Sequence, residues 1–190
     1  AYGDTPTDES AERRRQRVDR YLSRQPHERM PLPDRWTKHV PNYQIHGIIE
    51  GHDGPSDVRH WEHLPDDVVS LKQPIHTHQG FVCPDAVKAK LHGESADPDH
   101  YDSWYEEPGG HEPKFVRHQG QHFLLDGHHR FAHARLMGHG SMWGKVFDTA
   151  NPDHKQMNCY GCHVNDIEDN DRYDHDSGDC PDCQHHGWYV

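Results

Sequence analysis

The chain has 190 residues, of which 31% are hydrophobic, and its formal net charge is −12 with histidines counted as neutral. This low hydrophobic share indicates a core that involves only part of the chain, and the net negative charge argues against non-specific nucleic-acid binding by the chain as a whole. The sequence has no run of about 18 apolar residues and no apolar signal core near its start, so we expect an intracellular protein in the cytoplasm.

Residues 1–38 are predicted to form a helix followed by a proline-rich arm. Val18 and Leu22 recur at helical spacing and Ser10 is a suitable N-cap, whereas prolines interrupt the chain shortly afterwards. The segment is too short to bury much by itself, so we expect it to be flexible or to lie along another surface. Its helix is rich in arginine but has interleaved acids, which favours a solvated helix or a docking arm for a protein partner over nucleic-acid binding.

Residues 39–150 have the mixture of strands and helices expected of a compact α+β domain with a mixed sheet. Helices are predicted at 83–93, with Pro84 in the first turn, and at 128–140, and an acidic loop at 94–112 lies between them. The predicted strands are residues 43–51 ("YQIHGIIEG"), 67–71, 114–118, 122–126 and 141–148, of which the third and fourth form a hairpin.

Residues 151–190 have almost no apolar periodicity and contain two Cys-x-x-Cys pairs. Cys159 and Cys162 form the first pair and Cys180 and Cys183 the second, with 17 residues between the pairs. This spacing predicts a zinc ribbon in which four thiolates bind one structural Zn²⁺ and the metal supplies the folding energy. Disulfides or redox dithiols are the alternative. The acidic surroundings favour a protein partner for this ribbon over DNA.

The stretch "DGHHR" lies where a predicted strand turns into a helix. Gly127 permits close backbone approach, the first N–H groups of the helix attract anions, and Arg130 adds a forked cation. His128 and His129 can donate hydrogen bonds or move protons, and Asp126 can orient a histidine or hold Mg²⁺. The pattern predicts a nucleotide or phosphate site, and the competing interpretation is a polar turn in a chain with 22 histidines.

The segment "FLLDGHHRFAHARLMGHGSMWGKVFD" (123–148) resembles the signature region of the ParB/sulfiredoxin superfamily, in which a strand, a Gly-x-x-Arg turn, a helix and a further strand follow one another. The earlier "PIHTHQGFVCPDAVKAKL" (74–91) resembles the upstream segment of phage-type ParB-like nuclease domains, and together the two segments extend the resemblance over residues 70–148. The matching upstream positions are Thr77, Gln79, Val82 and Val87.

This resemblance implies a ParB/sulfiredoxin-like fold that binds CTP or ATP with Mg²⁺. The implied nucleotide-binding residues are Thr77, Gln79, Gly127, His129 and Arg130. The implied catalytic residues, for NTP hydrolysis or DNA cleavage, are Asp126, His128, His129 and Arg130. Sulfiredoxin chemistry is excluded, because His128 occupies the position of its reactive cysteine. Where the resemblance would place the DNA-binding region of partition proteins, the given sequence has the cysteine-rich segment, so we do not expect partition function.

Two classes of function remain open from the sequence. The first is an NTP-dependent switch or enzyme, phage-encoded and active in the host cytoplasm, that uses the turn at residues 126–130. The second is a structural or adaptor component of a large assembly such as a virion. In that case the ParB-like core is a scaffold, and the N-terminal arm and the zinc ribbon contact protein partners. The sequence decides neither the nucleotide nor DNA binding.

Overall fold

The computed structural model describes residues 10–55, 61, 64–92 and 112–154, and these residues form an α+β fold. The described helices are α1 (Ala11–Leu22), α2 (Asn42–Gly51), α3 (Pro84–His92) and α4 (His128–Leu136), and Pro152–His154 forms a short 3-10 helix. The strands are β1 (Met30–Pro31), β2 (Thr37–His39), β3 (Asp66–Ser70), β4 (Ile75–Thr77), β5 (Phe81–Val82), β6 (Lys114–His118), β7 (Gln121–Asp126) and β8 (Ser141–Asp148).

Six of these strands form one mixed sheet in the order β2-β4-β7-β6-β8-β3. Strands β2, β4 and β7 run parallel to one another, so their carboxyl ends lie at the same edge of the sheet. Strand β6 forms a hairpin with β7 and pairs in parallel with β8, and β8 pairs antiparallel with β3. The strands β1 and β5 form a separate antiparallel pair. The order brings the end of β7 next to the end of β4, where the candidate site lies.

The sheet is covered on both faces by separate apolar clusters. One cluster joins side chains of α1, α3 and α4 to the sheet, with Val18, Val87 and Phe131 fully buried in it. The other joins α2 to the opposite face, where Ile45 and Phe147 are buried. Because α1 buries Val18 in the main cluster, the N-terminal helix lies along the domain, and the core extends across the domain boundary predicted between residues 38 and 39.

The prediction of a strand at 43–51 is wrong, because these residues form helix α2. Ile45 and Ile49 stand four residues apart and are both buried, which is the spacing of one helix face, whereas Tyr43 on the same helix is exposed. Pro41 in an extended conformation precedes the helix and sets its start. The β-branched residues favoured a strand locally, but packing against the sheet decided the conformation.

The other predicted elements with described residues are confirmed, with boundaries shifted by a few residues. Ser10 caps α1 by accepting a hydrogen bond from the backbone N–H of Arg13 at 3.3 Å. Strand β3, helix α3, the β6–β7 hairpin, helix α4 and strand β8 all form where the sequence predicts them. The chain leaves α4 through Gly138, which has a positive φ of 75°.

Several predictions fall on residues outside the described ranges. The four cysteines of the predicted zinc ribbon, Cys159, Cys162, Cys180 and Cys183, are among them, and so is nearly all of the acidic loop at 94–112. Within the ranges that are described, no helix is both long and apolar enough to cross a membrane.

Candidate functional site

The predicted turn at residues 126–130 lies at the sheet edge where the parallel strands β2, β4 and β7 end. Strand β7 ends at Asp126, Gly127 connects it to helix α4, and β4 ends beside it at Thr77. In sheets with parallel strands, the carboxyl edge is the usual place for ligands, because the loops there converge on one crevice. The structure therefore brings the predicted residues Thr77, Gln79 and 126–130 together.

Gly127 has a conformation and a packing environment that other residues would not fit. Its φ of 91° and ψ of 27° lie in the left-handed region, and a Cβ atom there would come within 2.8 Å of Pro113. The first hydrogen bond within α4 runs from the Phe131 N–H to the Gly127 carbonyl, at 2.9 Å. The N–H groups of the three residues between them therefore precede the hydrogen-bonded part of the helix and give its start a partial positive charge.

His128 is clamped to the end of β4 through Thr77. The Gln79 N–H donates to Thr77 Oγ1 at 3.1 Å, and the Thr77 hydroxyl shares a hydrogen bond of 2.6 Å with His128 Nε2. Both side chains are buried, with Thr77 1% and His128 4% exposed. Burial, assisted by the nearby His78, lowers the pKa of His128 to about 4. His128 is therefore neutral at pH 7, and its hydrogen bond with Thr77 fixes α4 against β4.

His129 connects the start of α4 to the start of α3. Its Nε2 accepts a hydrogen bond from the Cys83 N–H at 3.1 Å, which requires the neutral ring with the proton on Nδ1. Burial and the neighbouring Lys90 lower the pKa of His129 to about 4, while Asp126 acts in the opposite direction. The two histidines of the turn thus hold the starts of α3 and α4 and the end of β4 in one arrangement.

The carboxylate of Asp126 is engaged by a buried lysine and by its own turn. Lys114 Nζ lies 3.3 Å from Asp126 Oδ2, and the Gly127 N–H donates to Asp126 Oδ1 at 2.7 Å. Lys114 is buried, so Asp126 supplies the counter-charge that this lysine needs. Asp126 therefore orients the turn and Lys114. The histidine that follows the turn, His128, is hydrogen-bonded to Thr77 instead of Asp126.

Arg130 and Lys90 add positive charge beside the start of α4. Arg130 is partly buried in the first turn of α4. Burial and the neighbouring Arg130 both lower the pKa of Lys90 on α3. Two cations in this arrangement repel each other, and an anion between them would relieve the repulsion.

A cavity of about 540 Å³ lies next to the hydrogen-bonded pair of Thr77 and His128. It is lined by Arg29, His39, His78, Gln79, Gly80 and Phe81. The His78 ring stands edge-on to the ring of His128, with 5.5 Å between their centroids, so the cavity adjoins the start of α4. The guanidinium of Arg29 lies 3.6 Å above the centre of the Phe81 ring, which is 40% exposed. The cavity thus combines an aromatic face, a guanidinium and two imidazoles.

His76 and His78, which stand on either side of Thr77, do not form a metal centre with other described residues. His76 stacks on Phe123 at 4.8 Å, and His78 contacts His128 instead. In the described ranges, no group of three or more His, Cys, Asp or Glu side chains could hold a metal ion.

Sequence reasoning missed several residues of this site, namely Arg29, His39, His78, Phe81, Cys83, Lys90 and Lys114. His78 had a sequence signal, because it stands between Thr77 and Gln79, the two upstream positions that the resemblance implies. Arg29, His39, Lys90 and Lys114 come from other parts of the chain, and the fold brings them to this edge of the sheet. No protein-family model, no curated protein and no solved structure matches this chain.

Proposed function

We propose that this protein binds a nucleotide, with its phosphates at the turn around Gly127. The observation that supports this most directly is the left-handed Gly127 at the start of α4, where the sheet edge, the helix N-terminus and Arg130 converge. Gly127 allows the left-handed turn from β7 into α4, and the helix start and the guanidinium of Arg130 both favour an anion. Lys90 adds a second cation beside Arg130.

The neighbouring cavity suits the rest of a nucleotide. Cavities that hold small molecules measure about 300–1,000 Å³, and this one, of about 540 Å³, lies within that range. The exposed face of Phe81 and the guanidinium of Arg29 offer surfaces on which a planar base can stack. Gln79 and His39 supply hydrogen-bonding groups along the cavity wall.

The geometry favours binding over acid–base catalysis by the histidines. His128 and His129 both have pKa values lowered to about 4, and the Nε2 atom of each is already hydrogen-bonded. In this proposal they are positioning residues, and the contacts to phosphate come from Arg130 and the N–H groups at the start of α4. Asp126 is the carboxylate that a Mg²⁺ ion on the nucleotide would meet at the turn, and its second bond to Lys114 would hold it in place.

The proposal includes the ParB/sulfiredoxin assignment and the two nucleotides that it implies, CTP and ATP. It leaves NTP hydrolysis and DNA cleavage as activities to be assayed once binding is established. We also propose that Cys159, Cys162, Cys180 and Cys183 bind one structural Zn²⁺ ion, since their spacing is that of a zinc ribbon. The acidic ribbon and the N-terminal segment remain candidates for contact with protein partners.

The test is equilibrium binding of labelled CTP and ATP, with and without Mg²⁺, to the full chain and to Arg130→Ala. We expect micromolar binding by the wild type and a loss of at least about tenfold in the variant, because a charge-assisted contact to phosphate is removed. Arg35→Ala is the matched control, since Arg35 is an exposed arginine distant from the turn in sequence. Arg35→Ala should bind as the wild type does.

Two outcomes would contradict the proposal. If the folded, zinc-loaded protein binds neither nucleotide, the turn has a structural role and the domain is a scaffold. If Arg130→Ala and Arg35→Ala weaken binding equally, the nucleotide responds to overall charge and the turn is not its site. Circular dichroism on each variant distinguishes these outcomes from loss of the fold.

A further inference from the structure

The three helices on one face of the sheet are strongly basic in a chain that is acidic overall. Helices α1, α3 and α4 together contain nine Arg or Lys residues and three Asp or Glu residues, a formal charge of +6, whereas the whole chain has −12. All three helices contribute to the same apolar cluster, so they lie on the same side of the sheet. Positive charge is therefore concentrated on one face of the molecule.

The acids that interleave this basic sequence are already paired within the structure. Glu12 lies 3.8 Å from Arg15, and Asp19 lies 3.4 Å from Lys88 on α3. Asp85 lies 3.4 Å from an exposed histidine in the loop before β1. Two of the three carboxylates therefore pair with cations of the same helices, and the formal charge of +6 already includes them.

Three exposed arginines lie on α1 and in the turn that follows it. Arg13 and Arg20 are seven residues apart, which places them on one side of the helix about 10 Å apart at 1.5 Å per residue, and Arg24 follows in the turn after the helix ends at Leu22. Among the described residues, no carboxylate lies within ion-pair distance of these three side chains. Arg14 differs, because its Nη1 turns inward and donates to the Met137 carbonyl at 3.0 Å.

Lys90 and Arg130 extend the basic face from α1 across α3 to the start of α4. Lys88 faces α1 through Asp19, while Lys90, two residues later, lies near Arg130. Each of the three helices therefore contributes cations on this side of the sheet. A single small anion would neutralise only part of this charge, whereas an extended polyanion could meet cations of several helices.

We propose that this basic helical face, formed by α1, α3 and α4, binds the phosphate backbone of a nucleic acid without sequence preference. A nucleic acid presents regularly spaced phosphates, and the forked guanidinium of arginine suits phosphate oxygens. Because the contacts would be to phosphates, binding should fall steeply as salt rises. The proposal uses Arg13, Arg20 and Arg24 and does not depend on nucleotide binding at Gly127.

The experiment is fluorescence anisotropy of labelled random-sequence duplex DNA and single-stranded RNA, titrated with the full chain at several salt concentrations. The test variant is R13Q/R20Q/R24Q, and the matched control is R35Q/K38Q/K72Q, which removes the same charge from exposed positions outside the three helices. For duplex DNA, we expect the test variant to lose at least about tenfold in affinity and to reduce the slope of log K against log salt by about 2–3, since each phosphate contact contributes about 0.9. The control should keep both values.

Three outcomes would overturn the proposal. The first is no binding of either nucleic acid by the wild type at low salt. The second is an equal loss in the two triple variants, which would show a response to net charge alone. The third is binding of polyglutamate but not of nucleic acid, which would indicate an acidic protein segment as the partner. Because all three arginines of the test variant are exposed, unchanged circular dichroism is expected for it, and Arg130→Ala separately reports on the nucleotide site.

Discussion

Acid should destabilise this protein through two histidines of the Gly127 turn, the buried His128 and the partly buried His129, and His128 allows the effect to be measured. Folding lowers the pKa of His128 from 6.5 to about 4, mainly because the ring is buried. The folded state therefore resists protonation more than the unfolded chain does. The stability linked to the neutral ring is complete above about pH 6.5 and is lost as the pH falls towards about 4.

The magnitude follows from the two pKa values. Between about pH 7.5 and about pH 5, a group whose pKa shifts from 6.5 to about 4 reduces the free energy of unfolding by about 2 kcal/mol. His129 has a similar shift and should contribute a similar loss. Replacing His128 with Gln keeps an acceptor for the Thr77 hydroxyl but removes the titrating group.

The assay is urea denaturation of the wild type and of His128→Gln at both pH values. The variant should lose about 2 kcal/mol less than the wild type between the two conditions, whatever its stability at the higher pH. The matched control is His27→Gln, because the side chain of His27 is 86% exposed and folding leaves it in water. Equal losses in the wild type and His128→Gln would refute the argument that burial holds His128 neutral.

Two further predictions concern the turn and the cysteine-rich segment. Gly127→Ala should lower the free energy of unfolding by about 1–3 kcal/mol, because the φ of Gly127 is 91° and a Cβ atom would meet Pro113. The control is Gly47→Ala in α2, which should be neutral or stabilising because the space around its Cβ is open. Urea midpoints of the two variants test this, and equal effects would contradict the geometry. The purified chain should contain equimolar zinc by elemental analysis, and Cys159→Ser should lose most of this zinc because one thiolate ligand is removed. A wild-type protein without metal would favour disulfides between the cysteines.

The parts of the fold that the sequence predicted well have local signals. Pro84 at the first turn of α3, the turn at Gln119 and Gly120 in the β6–β7 hairpin, and Gly127 before α4 each fix the backbone near their own position. Helix α2 was predicted wrongly because its isoleucines suit a strand locally, and only the sheet face against which they pack makes them helical. Local chemistry predicted where the chain turns, and tertiary packing determined the conformation of α2.

The candidate site was predicted only in part, for a related reason. The residues that follow one another in "DGHHR" could be read together, but their partners are distant in sequence. Thr77 lies 51 residues before His128, and Cys83 lies 46 residues before His129. The sequence suggested that the two histidines could donate hydrogen bonds or move protons. In the structure, His128 is hydrogen-bonded to β4 and His129 to the start of α3, so both hold neighbouring elements together.

The sheet order has a consequence for self-association. In the described part of the chain, β2 and β3 are the outermost strands of the six-stranded sheet, and an outer strand exposes backbone groups that can pair with another molecule. Strand β2 has only three residues, with Lys38 at its centre, and β3 begins with Asp66 and Asp67. A second copy that added to either strand would meet a short, charged edge. The strand order thus places a short strand and a charged strand at the two edges of the sheet, where pairing with another molecule would begin. This protects the protein against edge-to-edge aggregation.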